Sequence, residues 1–70
     1  MRKSVLIVED EPNIVESLTF LLERAGFAVQ SESDGNRALA RIAESAPDLV
    51  ILDVMLPNRS GFDILRDLRL

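Results

Sequence analysis

Two runs of four apolar residues, Val5-Leu6-Ile7-Val8 and Leu49-Val50-Ile51-Leu52, constrain this chain more than any other feature. Each is stopped by acid: Glu9-Asp10-Glu11 follows the first and Asp53 the second. Short continuous apolar runs of this kind read as strands buried on both faces, the pattern of a parallel sheet. Parallel strands need long crossover connections, and the intervening residues supply helices for them. Pro12 suits a first helical position, because its N–H would be unsatisfied there anyway. Ile14, Leu18, Leu21, Leu22 and Ala25 recur at helical spacing and Gly26 closes the pattern, which predicts a helix over 12–25. Residues 27–31 read as a weaker, mixed strand with a polar end. Asp34-Gly35 marks a turn with Asp34 as N-cap. Ala38, Leu39, Ile42 and Ala43 form the stripe of a second helix that ends before Ala46-Pro47. After a loop over 55–61, Phe62, Ile64, Leu65 and Leu68 begin a third helix, and Ser60 is placed to cap it. Leu18, Leu21, Leu39 and Ile42 are expected in the core. The order β-α-β-α-β-α is that of an α/β chain with an open parallel sheet and right-handed crossovers.

Composition narrows the chemistry. The 70 residues contain neither Cys nor His. That excludes disulfides, thiolate or imidazole zinc sites, and Ser-His or Cys-His catalysis. Any metal must be a hard ion held by oxygen. A chain of this size without such staples folds only marginally on its own. No apolar run approaches the roughly 20 residues of a membrane span. The net charge of −4, with eight scattered Lys and Arg, argues against a nucleic-acid surface. A soluble, cytoplasmic chain is expected.

The acids at the strand ends carry the functional signal. In open parallel sheets, ligands bind outside the carboxyl ends of the strands, where the strand order reverses. If strands one and three are neighbours, Glu9, Asp10 and Asp53 converge there. Such carboxylates repel one another unless a cation is present, and with oxygen ligands the natural cation is Mg2+, with Mn2+ as a substitute. Solvated loop acids, or acids favouring the helix N-terminus, are the plainer alternative. Asp53 stands out because it directly follows the apolar run, and a carboxylate so placed can act as a nucleophile toward a phosphoryl group. An Asp-dependent phosphatase would want a second Asp two residues on, where this chain has Met55. Neither G-x-G-x-x-G nor a P-loop follows the first strand.

The segments Val5-Leu6-Ile7-Val8-Glu9-Asp10-Glu11-Pro12, Pro47-Asp48-Leu49-Val50-Ile51-Leu52-Asp53 and Asp53-Val54-Met55-Leu56-Pro57-Asn58-Arg59-Ser60-Gly61 resemble those of response-regulator receiver domains of two-component signalling. The last is the most specific of the three. The resemblance implies a flavodoxin-like sheet with strand order 2-1-3. It implies Asp53 as acceptor of a phosphoryl group from a sensor histidine kinase, a phosphotransfer protein or a small donor such as acetyl phosphate. It implies Asp10 as a direct Mg2+ ligand, Glu9 acting mostly through water, and Asp53 with the backbone carbonyl of Met55 completing the protein's share. Pro57 and Gly61 would shape the turn that frames the site. A phosphoacceptor of this kind is a signalling module rather than an enzyme.

Receiver domains have five β-α repeats, and this chain supplies three, so residues 1–70 are expected to be a single, partial receiver domain. The Thr or Ser after strand four and the Lys after strand five, which the family uses for switching, have no position here. An alternative follows from the apolar third strand, whose far edge nothing in the sequence covers. A second chain completing that edge would make the protein a swapped or symmetric homodimer without phosphotransfer activity.

Overall fold

The computed structural model describes residues 2–56 and 60–68. The elements alternate as β1 (Ser4–Val8), α1 (Pro12–Arg24), β2 (Ala28–Glu32), α2 (Gly35–Ser45), β3 (Leu49–Leu52) and α3 (Gly61–Leu68). All pairings are parallel, and the sheet order is β2-β1-β3. From β1 the first crossover moves to one side and the second returns past β1 to the other. Crossovers of the same right hand therefore place α1 and α2 on opposite faces of the sheet.

β1 is the centre. Val5, Leu6, Ile7 and Val8 are all fully buried, as a strand covered on both faces requires. Leu6 and Val8 point to one face, where they pack with Ala38 of α2, Leu56 and Ile64 of α3, and Leu39, Ile42, Val50 and Leu52 close the rim. Val5 and Ile7 alternate to the other face, the side of α1. At the opposite end from the acids, Asp48 ties β3 to β1: Ser4 N–H donates to Asp48 Oδ2 at 2.7 Å, and Asp48 N–H to Ser4 O at 2.9 Å.

The helix boundaries follow their local signals. Pro12 opens α1, Glu11 caps it through Asn13 N–H, and Gly26 follows its end at φ +98°. Asp34 caps α2 by accepting Asn36 N–H at 2.9 Å. Ser60 Oγ accepts Asp63 N–H at 3.2 Å at the start of α3, the cap expected of it. β2 lies one residue later than the 27–31 expected, because its pairing with β1 sets Ser4 opposite Ala28 and Val8 opposite Glu32.

Two core expectations need correction. The second apolar run is not buried on both faces: Leu49 is 52% exposed and Val50, Ile51 and Leu52 are half-buried. β3 is an edge strand, paired with β1 alone among the described residues. Leu21 is 60% exposed and Leu18 half-buried, and α1 contains no fully buried residue. The helix keeps its stripe, yet only part of that stripe meets the three-stranded sheet. Pro57 and the end of the chain beyond α3, including Leu70, lie outside the described residues.

Ala46, the C-cap of α2, sits at φ 44°, ψ 58° in the left-handed region. A Cβ is crowded there, and glycine is free of that penalty. Ala46→Gly is expected to stabilise the fold by about 1 kcal/mol, read as a raised midpoint in urea unfolding.

Candidate functional site

The site begins where the ladder runs past the apolar strands. Asp53 N–H donates to Val8 O at 2.9 Å, so β3 delivers Asp53 beside the end of β1. Glu9 N–H donates to Glu32 O at 3.0 Å, fixing the first acid of β1 against the end of β2. Glu9, Asp10 and Asp53 each offer a carboxylate oxygen, and those oxygens lie within 4.8 Å of one another. Asp10 is exposed, while Glu9 and Asp53 are partly buried. The condition set by the sequence, that strands one and three be neighbours, is met.

Backbone donors orient the cluster. Glu9 Oε2 accepts the N–H groups of Asp10 and Glu11, both at 3.1 Å, which folds the carboxylate over the turn into α1. Asp53 Oδ1 accepts Met55 N–H at 3.0 Å. That bond holds the Met55 backbone next to the cluster, while its side chain is 80% exposed. Gly61 closes the site from below. Its N–H donates to Val54 O at 3.3 Å. A Cβ at this position would run into the main-chain carbonyl of Asp53, which a backbone cannot yield cheaply. Glycine therefore lets α3 start directly against the residue that follows β3.

Three oxygen ligands at this separation suit a small hard cation that retains part of its water shell. Partial burial pushes the Glu9 carboxyl above its ordinary value of 4.5. The Asp53 and Asp10 side chains push the same way, and the Glu11 N–H pulls back. A depression beside the site is lined by Glu9, Asp10, Pro12, Glu16, Glu32 and Ser33, among others, and measures about 370 Å³. Glu32 stands apart from the strand-end acids to which the sequence points. It is a buried carboxylate at the end of β2, 3.2 Å from Arg41 Nη1. The spacing of Arg37 and Arg41, one helical turn apart, was the available signal.

Comparison with known proteins identifies the family and agrees with the fold. The family model described as "Response regulator receiver domain" matches residues 5–70. The chain belongs to that family, and the class of protein it defines is the receiver module of a two-component response regulator. Over 69 residues it is 45% identical to the DNA-binding response regulator MtrA of Mycolicibacterium smegmatis, covering 99% of this chain and 30% of that protein. The BeF3-activated N-terminal receiver domain of RstA from Klebsiella pneumoniae superposes with a TM-score of 0.93 at 39% identity, covering 96% of this chain and 57% of that one. The response regulator TrrA of Thermotoga maritima, solved in complex with Mg(2+)-BeF, gives a TM-score of 0.91 at 37% identity, with 96% and 58% covered. The chain thus spans under a third of MtrA and under three-fifths of the two solved chains.

A raised Glu9 value means that the folded chain holds more protons than the unfolded chain just above pH 4.5. Without divalent ions, the Glu9 contribution to stability therefore grows as pH falls through its raised value and is lost as pH rises. Glu9→Gln is expected to raise the thermal midpoint at about pH 7 in EDTA, and to flatten its change down to about pH 5.

Proposed function

We propose that this chain is a phosphoacceptor module in which Asp53 takes a phosphoryl group from a sensor histidine kinase, a phosphotransfer protein or acetyl phosphate. The observation that carries the reading is the convergence of Asp53 with Glu9 and Asp10 within 4.8 Å at the mouth of the sheet. Asp10 and Asp53 would hold Mg2+ directly, Glu9 mostly through water, and Met55 through its carbonyl. The bound ion would neutralise charge on the phosphoryl oxygens and bring that group against Asp53. The Mg(2+)-BeF complex of TrrA supports the choice of ion.

The residues perform the rest. An Asp53 carboxylate oxygen attacks phosphorus and forms a new P–O bond. The bond from phosphorus to the donor nitrogen, or to the acetate oxygen, breaks and its electron pair leaves with the donor. The product is an acyl phosphate on Asp53, and the leaving imidazole or acetate takes a proton from solvent as its own basicity demands. The Met55 N–H holds Asp53 in place while this happens, and the Gly61 contact fixes its main chain. We place this exchange in the cytoplasm on the likeness to response regulators; no helix among the described residues is long and apolar enough to cross a membrane.

Incubation with acetyl phosphate and Mg2+, followed by electrophoresis on a gel that retards phosphoproteins, tests the acceptor. Wild type is expected to shift, Asp53→Ala to show no shift, and Asp10→Asn to shift only weakly. Equal labelling of wild type and Asp53→Ala would remove Asp53 from the role.

A second reading concerns assembly. The far edge of β3 has no strand partner among the described residues, and Leu49 is half exposed beside it. A second copy pairing along that edge would cover it and yield a homodimer. Light scattering is expected to give a mass that doubles with concentration, and Leu49→Lys to hold the chain monomeric. A monomer at every concentration would overturn this second reading and leave the first intact.

A further inference from the structure

β2 ends in a side chain that does not fit its surroundings. Gln30 and Ser31 are open to solvent, yet Glu32 is only 8% exposed. A buried carboxylate is costly unless every oxygen is engaged and its charge is met. Here both conditions hold. Glu32 Oε1 accepts from Arg41 Nη1 at 3.2 Å and lies 3.6 Å from Arg37 Nε. Oε2 accepts the Asp34 N–H at 3.1 Å.

The pair does more than satisfy itself. Arg41 Nη2 also donates to Gln30 Oε1 at 3.4 Å. Gln30 and Glu32 are two apart and share one side of β2, so a single guanidinium spans both and fastens α2 to the end of the strand. The main-chain carbonyl of the same Glu32 accepts the Glu9 N–H at 3.0 Å. A continuous set of bonds therefore runs from α2 through Arg41 and Glu32 to Glu9. From Glu9 it reaches the Asp10 N–H, which the Glu9 carboxylate holds at 3.1 Å.

We propose that Glu32 and Arg41 are positioning residues for the cation site, fixing the end of β2 so that Glu9 and Asp10 meet Asp53. The proposal rests on the cation-binding reading given above. It differs from a through-space charge effect in sign. Glu32 lines the same depression as Glu9 and Asp10. If only charge mattered, removing Arg41 would leave an extra negative group there and tighten cation binding. A positioning role predicts the reverse, because Glu32 keeps only the longer Arg37 contact at 3.6 Å and loses the guanidinium that ties it to Gln30 and α2, so the strand end moves toward water and takes the Glu9 amide with it.

The probe is Mn2+ alone, titrated into the 70-residue chain and followed by the electron paramagnetic resonance signal of the free ion. Arg41→Met and Glu32→Met are each expected to weaken Mn2+ binding about tenfold, the usual scale for losing a group that orients a ligand. The double variant Glu32→Met/Arg41→Met is expected to recover most of the affinity. An apolar pair of similar volume needs no counter-charge, and residue 32 still offers its main-chain carbonyl to Glu9. The thermal midpoint falls in the single variants whatever the role, so affinity measured well below it is the deciding quantity. If Arg41→Met loses its far-UV circular dichroism, Arg41→Lys carries the test. It keeps the charge but lacks the fork that reaches Gln30, and a smaller loss in the same direction is expected. Unchanged or tighter Mn2+ binding in the folded Arg41 variant overturns the proposal while leaving the cation site standing. A wild-type chain that takes up no Mn2+ overturns both.

Discussion

The parallel pairing of β1 on both of its edges is the constraint on which the remaining structure depends. The ladder continues one residue beyond the apolar tetrad on each side. On one side Asp53 N–H reaches Val8 O, and on the other Glu9 N–H reaches Glu32 O. The acid tips of two strands are thereby held level, although their like charges favour separation. Burial of Leu6, Val8, Ala38, Leu56 and Ile64 opposes that repulsion. Each large apolar side chain taken out of water contributes about 2 kcal/mol. The exposure of Asp10 keeps part of the cluster in a high-dielectric setting, so the opposing term stays modest.

Much of the fold was legible because local signals agreed with one another. Pro12, Asp34 and Ser60 opened the helices where their chemistry suits a first turn or a cap, and Gly26 closed the first. The misplaced expectations share one cause. A sequence shows that a run is apolar, but burial depends on what lies beside it. Leu49-Val50-Ile51-Leu52 looks as apolar as β1, yet it occupies an edge, and its first residue is more than half exposed. Leu21 has helical spacing and a core residue's chemistry, yet it is 60% exposed, on a part of the α1 stripe that nothing among the described residues covers.

The site was legible in a different way. The acids at strand ends were visible as chemistry, but their convergence depended on strand order, which spacing alone leaves open. The likeness of residues 53–61 to receiver domains implied the order 2-1-3 that the structure has. Glu32 was hidden because Gln30-Ser31-Glu32-Ser33-Asp34 reads as a solvated polar stretch. Only the docking of α2 brings two arginines to it and turns a surface acid into a buried one. Gly61 read as a turn residue, and its closeness to the Asp53 carbonyl is a matter of three-dimensional contact.

The bonds that join Ser4 to Asp48 close a separation of 44 positions, and β1 has no strand partner nearer in the chain than residue 28. Contacts so distant in sequence are slow to form, since the entropy of closing the loop is spent before any pairing rewards it. β1 is thus enclosed on both edges only once β3 has paired with it. Until β3 docks, Asp53 and the acids of β1 belong to separate parts of the chain and share no environment. The convergence of Glu9, Asp10 and Asp53 is therefore a property of the completed fold alone, and the phosphoryl chemistry proposed for Asp53 would report that the chain has finished folding.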